Sequence, residues 1–295
     1  MVDYVPNEKA TPIRMPSTAN LMIASEDRDN PLGSPWELTI TRTSNLQNGF
    51  FTRVGTTEVI LDWKEPNIIT DVNDEFSVDI SGTTTNTYAG TQTVNLSQGL
   101  YTVAQVLDSL VLLLNATTGT TGATFSVGQS VNKVSLDCSG AVFRLNPTPA
   151  SIPLMLELGF NTADTTLSAK KFILGAPDIR PYPYIDFTSE QLTYAQDVKD
   201  AATNTYNRNV LCRWYFDEDV PETVDTYGFP IFMGYRPFCR RRVFNPPKQI
   251  RWDNNLPLGN LSFTVYTNGG TVVEDDNPIP LAKSSWRMTL QLSEI

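Results

Sequence analysis

The sequence predicts an all-β protein, an antiparallel β-sandwich. Short runs alternate apolar and polar residues with a period of two, and polar turn chemistry follows them. No repeat with a period of about 20–50 residues is present, which excludes a solenoid or propeller. In an extended chain successive side chains point to opposite faces, so each alternating run reads as a half-buried strand.

Residues 1–35 carry Pro6, Pro12, Pro16, Pro31 and Pro35 with little periodicity. Proline fixes φ and offers no ladder donor, so this stretch is expected as an extended arm and 36–295 as the β domain. Trp36, Leu38 and Ile40 then alternate with Glu37, Thr39 and Thr41. Val59, Leu61 and Trp63 form a second run, and Phe76, Val78 and Ile80 a third. Asn48-Gly49 and Ser81-Gly82 supply turns.

One segment departs from the period of two. Val103, Val106, Leu107, Leu110, Val111 and Leu114 fall on one helical face, so an amphipathic helix is expected over about 102–115. Thr102 as N-cap with Gln105 three positions later has capping-box spacing. The Asn115–Gly122 stretch is expected to stop the helix, and its stripe to cover an end or flank of the sandwich.

Strand signals resume at Thr124–Val127, Lys133–Cys138 and Ala141–Leu145. Ser151–Gly159 reads as a short helical turn ended by Gly159. Residues 161–183 read as loop, Tyr184–Thr188 and Val210–Phe216 as strands, and Ser189–Asn207 as weakly helical. Asp217–Pro237 is expected as an exposed acidic loop, and 161–250 as a loop or insertion region. Two strands close the chain, one on Leu261, Phe263 and Val265, the other on Trp286, Met288, Leu290 and Leu292. The domain therefore needs its C-terminal strand.

Composition bounds the function. Of 295 residues, 40% are hydrophobic and 18% charged, ample for a core and too apolar for a disordered chain. Lys+Arg 22 against Asp+Glu 32 gives a net charge of −10, which disfavours nucleic acid as a partner of the whole surface. There is no histidine, which removes Ser-His and Cys-His nucleophile pairs, His bases and His metal ligands. Cys138, Cys212 and Cys239 form no CxxC pair, and they are expected as buried apolar residues of a chain assembled in a reducing cell. No signal peptide is visible, and the apolar stretch around Val111–Leu114 is far short of a membrane span.

The common catalytic and nucleotide-binding motifs are missing from the sequence. Asp71–Glu75, Asp217–Asp219 and Glu274–Asn277 are acidic clusters that could offer oxygen ligands to Ca²⁺, but none follows an EF-hand loop, and solvated turns are the better reading. Accordingly no catalytic, cofactor or metal residue is assigned. Arg236, Arg240, Arg241, Arg242, Lys248 and Arg251 form a basic cluster interleaved with Tyr235, Phe238, Phe244 and Trp252. Internally paired arginines or a protein contact fit it better than nucleic acid, because arginine and aromatics are what interfaces favour.

Several marks in order along the chain carry a resemblance. Asp27-Arg28-Asp29 precedes the first strand, and Gly99-Leu100-Tyr101-Thr102 leads into the helix. Leu158-Gly159-Phe160 and Tyr184-Ile185-Asp186-Phe187 follow. Ile250-Arg251-Trp252, Leu258–Phe263 and the closing Trp286–Glu294 complete the series. Together they resemble penton or minor capsid proteins of polinton-like viruses, adintoviruses and related eukaryotic double-stranded DNA viruses. The resemblance implies a single jelly roll with loop insertions, no enzymatic activity, and a homopentamer at the fivefold vertices of an icosahedral virion. It further implies contact with a neighbouring major capsid protein, and with a host receptor through exposed loops. Asp27, Arg28, Asp29, Arg240, Arg241 and Arg242 are the candidate inter-subunit contacts. The alternatives are another minor or cement jelly-roll capsid protein, or a carbohydrate-binding attachment sandwich; a carboxylate-based glycosidase ranks below them.

Overall fold

The computed structural model describes residues 18–41, 53–82, 89–118, 122–130, 133–193, 210–217, 219–251, 260–273 and 283–294. Eight sequence expectations lie outside or partly outside them: residues 1–17 of the arm, the Asn48-Gly49 turn, 119–121 of the stretch expected to stop the helix, 194–207 of the weakly helical stretch, Glu218, Trp252, the Leu258-Gly259 pair and the Glu274–Asn277 cluster.

The first strands are β1 (Thr18–Ala24), β2 (Glu37–Thr41), β3 (Arg53–Trp63), β4 (Glu75–Gly82) and β5 (Ala89–Asn95), with a short 3-10 turn at Ser25–Asp27. Helix α1 (Val103–Thr118) follows, then β6 (Thr124–Ser130), β7 (Lys133–Ser139), β8 (Ala141–Leu145) and α2 (Ile152–Glu157). Next come β9 (Lys170–Phe172), β10 (Tyr184–Thr188), α3 (Glu190–Thr193), β11 (Val210–Tyr215), β12 (Asp219–Val224) and β13 (Pro230–Phe232). The chain ends with β14 (Phe238–Val243), β15 (Gln249–Arg251), β16 (Asn260–Thr267) and β17 (Ser285–Ser293).

Two sheets build a sandwich. One has the order β1-β17-β3-β14 with β15 also on β3, and the other β11-β10-β16-β2. Setting β15 aside, eight strands remain, and each lies beside its mirror position in the chain: first by eighth, second by seventh, third by sixth, fourth by fifth. That arrangement is a jelly roll. The inward residues are those the alternation named: Leu38 and Ile40 from β2, Val59, Leu61 and Trp63 from β3, Leu261, Phe263 and Val265 from β16, and Trp286 through Leu292 from β17.

A second hydrophobic cluster packs separately. It takes Phe76, Val78 and Ile80 from β4, Val106, Leu107 and Leu110 from α1, Phe125, Leu136 and Phe143 from β6–β8, and Ile231 and Tyr235 from after β12. Two small sheets frame it, β5-β4-β8 and β6-β7-β9. Most of this second lobe is one excursion between β3 and β10, residues 64–183. Helix α1 opens with the expected capping box: the Thr102 amide donates to Gln105 Oε1 (2.9 Å) and the Gln105 amide to Thr102 Oγ1 (3.3 Å). Its stripe covers this second core rather than the sandwich.

The structure corrects several expectations. Thr18–Ala24, expected within the arm, pairs along its whole length with β17, because Leu21 and Ile23 alternate inward. Asp217–Pro237 is not simply exposed, since Ile231, Met233 and Tyr235 are buried. The helix runs to Thr118, because Asn115 is not a stop: its side chain exchanges hydrogen bonds with the backbone of Phe125. Cys138 and Cys212 are buried, but Cys239 is exposed on the edge strand β14.

Strand β17 lies between β1 and β3, so it is a central strand. Its Trp286 is buried, donates its indole N–H to the Pro35 carbonyl at 2.7 Å, and meets Phe187 and Phe263 edge-on at 5.4 and 5.5 Å. Trp286→Ala is expected to cost about 3–5 kcal/mol, as other buried large-to-small changes do. Urea unfolding monitored by circular dichroism checks this, and a loss under about 1 kcal/mol would contradict it.

Candidate functional site

The sandwich has two flanks, and the candidate contact residues divide between them. Strands β1 and β2 are edge strands of the two sheets and close one flank; β14 and β11 are the opposite edges, brought together by Trp214 of β11 stacking on Phe238 of β14 at 6.5 Å.

On the first flank, the turn after β1 carries Asp27, Arg28 and Asp29. Arg28 donates Nη1 to the Ser25 carbonyl (2.7 Å) and Nη2 to the Pro31 carbonyl (2.8 Å), so it clamps its own loop. Asp29 accepts from the Thr41 amide (2.9 Å) and hydroxyl (2.6 Å), which ties the turn to β2 and holds its carboxyl below the usual range. Asp27 is exposed, as are Glu26 and Glu37. A cleft of about 360 Å³ lies beside the turn, lined by Arg28, Asp29, Glu37, Ser262 and Phe263 among others.

On the second flank, the three arginines have different settings. Phe238, Arg240 and Arg242 register with Trp63, Leu61 and Val59, all core residues of β3, so they share the inner face of an edge strand. The Arg242 guanidinium lies 5.8 Å from the Trp214 ring and 5.7 Å from that of Tyr215. Arg241 points to the other face and pairs with Glu58. Inward-pointing charge at a sheet margin blocks a further strand from adding. Lys248 reinforces the margin, donating to the Val210 carbonyl of β11 at 3.1 Å. Beside it, Cys212 is fully buried, and burial pushes its thiol up to about 12, so it is an inert packing residue.

Arg213 and Asp186 belong to this flank and escaped sequence reasoning. Asp186 is fully buried and accepts from Arg213 Nε (2.7 Å) and Nη2 (2.9 Å), while the guanidinium lies 3.8 Å from the Tyr184 ring. The signal was an aspartate inside Tyr184-Ile185-Asp186-Phe187, a strand too apolar to tolerate it unpartnered. Side-chain hydrogen bonds to Asp186 hold the Arg213 charge above its usual range.

The acidic cluster after β3 is turn chemistry. Asp74 accepts from the Asp71 amide, and Asn73 accepts from the Ile69 amide, at 2.9 and 2.8 Å. Among the described residues no group of three His, Cys, Asp or Glu is placed to hold a metal. One acidic residue in the second lobe has a large upward shift. Burial, opposed by the Asn73 amide donating to Oε2 at 2.9 Å and aided by Asp178, raises the Glu157 carboxyl to about 7. Burial also works to raise Asp178, but its bonds from Arg180 (2.8 and 2.6 Å) outweigh it and leave that carboxyl lowered.

Two outcomes follow. Arg213→Met strands the buried Asp186 carboxylate. It is expected to cost about 2–4 kcal/mol in chemical denaturation at pH 7, reduced from a fully buried pair because Arg213 is 34% exposed. Glu157 binds its proton more tightly folded than unfolded, so its charge opposes folding as pH rises from about 4.5 to 7. Glu157→Gln removes that opposition. Thermal melts across this range are expected to converge with wild type at pH 4.5 and to lie above it at pH 7.5; an unchanged offset at both pH values would refute the assignment.

Comparison with solved structures now has a fold to refer to. The chain is similar to the mavirus penton protein, with a TM-score of 0.51 and 15% identity over 96% of this chain and 100% of that one. A chain of the Sputnik virophage structure aligns with a TM-score of 0.40 and 10% identity, over 95% of this chain and 98% of that one. No protein-family model and no curated protein matches the sequence. At this identity the likeness is one of fold, and it extends along nearly the whole chain.

Proposed function

We propose that this chain is a capsid subunit of a virion, acting as a penton that forms homopentamers at icosahedral fivefold vertices. One observation carries the reading: the fold of the mavirus penton protein runs through both lobes, over 96% of this chain. The remainder of the molecule agrees with a role exercised through shape. Several of its charged side chains hold strand margins and turns, as with Arg28 and Arg213.

Orientation follows from the register. Thr18 of β1 and Ser293 of β17 lie side by side near Arg53, at the end of the sandwich away from Trp63, where the chain enters the second lobe. The described ends of β1 and β17 therefore lie at one end of the sandwich and the lobe stands at the other. In the proposed capsid the lobe faces outward, where it can meet a host receptor, and the opposite end faces the neighbouring major capsid protein. A cleft of about 660 Å³ on the lobe, bordered by Gln129, Lys133, Tyr227 and Phe229, is the proposed place for such outward contact.

Native mass spectrometry of the purified chain is expected to give a five-copy species, and electron microscopy of particles density for this fold at the vertices. Density for it only at other lattice positions would favour the minor or cement role.

A further inference from the structure

The two flanks differ in charge and stand at one height along the strands. In the β14-β3-β17-β1 sheet, Arg241 registers with Ile60, Ile60 with Arg287, and Arg287 with Ala24, the residue just before the Ser25–Asp27 turn. One row along, Arg240 registers with Leu61 and Leu61 with Trp286, whose amide donates to Ser25 Oγ at 2.9 Å. A line drawn across the sheet from Arg241 and Arg240 thus ends at Ala24 and Ser25, next to Glu26 and Asp27. Both acidic residues are exposed, and so are Arg240 and Arg241.

Around β14 and β11 the described cations Arg213, Arg236, Arg240, Arg241, Arg242 and Lys248 stand with the carboxylates Glu58, Asp62, Asp186 and Asp217, so the flank is basic in a chain whose net charge is −10. Around the other flank, Glu26, Asp27, Asp29 and Glu37 stand with Arg28 and Arg287; Arg28 is turned into its own loop, and Arg287 reaches Glu26 at 3.4 Å.

We propose that the partner of the basic β14 edge is the acidic Ser25–Asp29 turn of a second copy of this chain. Arg240 and Arg241 of one copy meet Glu26 and Asp27 of the next. This rests on the penton reading and names the contact that closes its ring. The contact is heterologous, because different surfaces meet. Equal height is the geometric point: neighbouring copies are related by rotation about an axis along the strands with little shift along it, and such an operation closes into a ring rather than climbing into a filament. Charge complementarity sets the register of the encounter.

Charge reversal tests it. Arg240→Glu with Arg241→Glu makes both flanks acidic, and Glu26→Lys with Asp27→Lys makes both basic. Each pair is expected to weaken self-association at least tenfold at 0.1 M salt, read by analytical ultracentrifugation, with circular dichroism confirming an unchanged fold. The chain carrying all four changes is expected to assemble again with its own copies. Mixed with tagged wild type it should sort apart in native mass spectrometry. If either reversed pair still forms wild-type rings, the contact lies elsewhere, although the penton reading stands. If wild type forms no oligomer, both readings fail. If wild type binds duplex DNA at 0.15 M salt and Arg240→Glu/Arg241→Glu abolishes that without altering assembly, the flank is a polyanion site and the proposal is overturned.

Discussion

The packing around Trp63 anchors, in the sandwich core, the places where the chain leaves for the second lobe and returns from it. Trp63 ends β3, the last strand before the chain leaves the sandwich for the second lobe. It is fully buried among Trp36 (5.5 Å), Phe216 (4.8 Å) and Tyr182 (6.3 Å), ring centre to ring centre. Those neighbours are the places where the chain crosses between lobes. Tyr182 precedes β10 as the excursion returns, Phe216 follows β11 as the chain departs again, and Phe238 opens β14 as it comes back. Aromatic side chains supply large buried area with little rotamer entropy to lose, so one cluster fixes several chain crossings at once. The second departure is fastened at its far end too. The Asp225 carboxylate accepts from the Ala104 amide at 2.9 Å, in the first turn of α1, where the helix dipole favours an anion.

How much of this could be read beforehand depended on whether a cause was local. Alternation in β2, β3, β16 and β17 gave strands with the right residues inward, because burial on one face of a sheet imposes a period of two on the sequence itself. The capping box at Thr102 and Gln105 is equally local, and so is the end of α2. There Gly159 has φ +77°, and a Cβ would approach the Gly175 carbonyl to 3.0 Å. What stayed hidden depended on distant partners. Strand β14 carries three arginines in a row and looks like surface. It is a strand because β3 lends it a ladder and Trp214 and Tyr215 lend Arg242 a face to rest on. Strand β1 looked like a tail because its partner, β17, lies at the other end of the chain. The second lobe looked like more of the same domain, since alternation reports that a face is buried but not against which core.

The same distinction applies to the candidate contacts. Asp27-Arg28-Asp29 was singled out as a unit, but the three residues do different things. Arg28 and Asp29 build the turn, and only the exposed carboxylates around them remain available to a neighbour. In Arg240-Arg241-Arg242, alternation again separates roles: the middle residue faces out toward Glu58, and the outer two face the sandwich mouth. A consecutive motif on a strand is two half-motifs on opposite faces, and its function has to be argued face by face.

The margins of this jelly roll favour side-chain contacts over backbone contacts between copies. An open edge strand invites a neighbour's strand to continue the ladder, and such growth has no natural stopping point. Here the β14 margin carries arginines on its inner face, and the β11 margin has its Val210 carbonyl taken by Lys248. In the proposed ring, where the backbone route is obstructed at this margin, copies meet through side chains whose charges are complementary and whose heights match. Complementary charge on opposite flanks orients such an encounter, and unlike an open ladder it leaves no backbone edge for a third copy to extend. Arg240 serves both ends of this argument: on the inner face of β14 it discourages an added strand, and in the proposed contact it faces the acidic turn of the next copy.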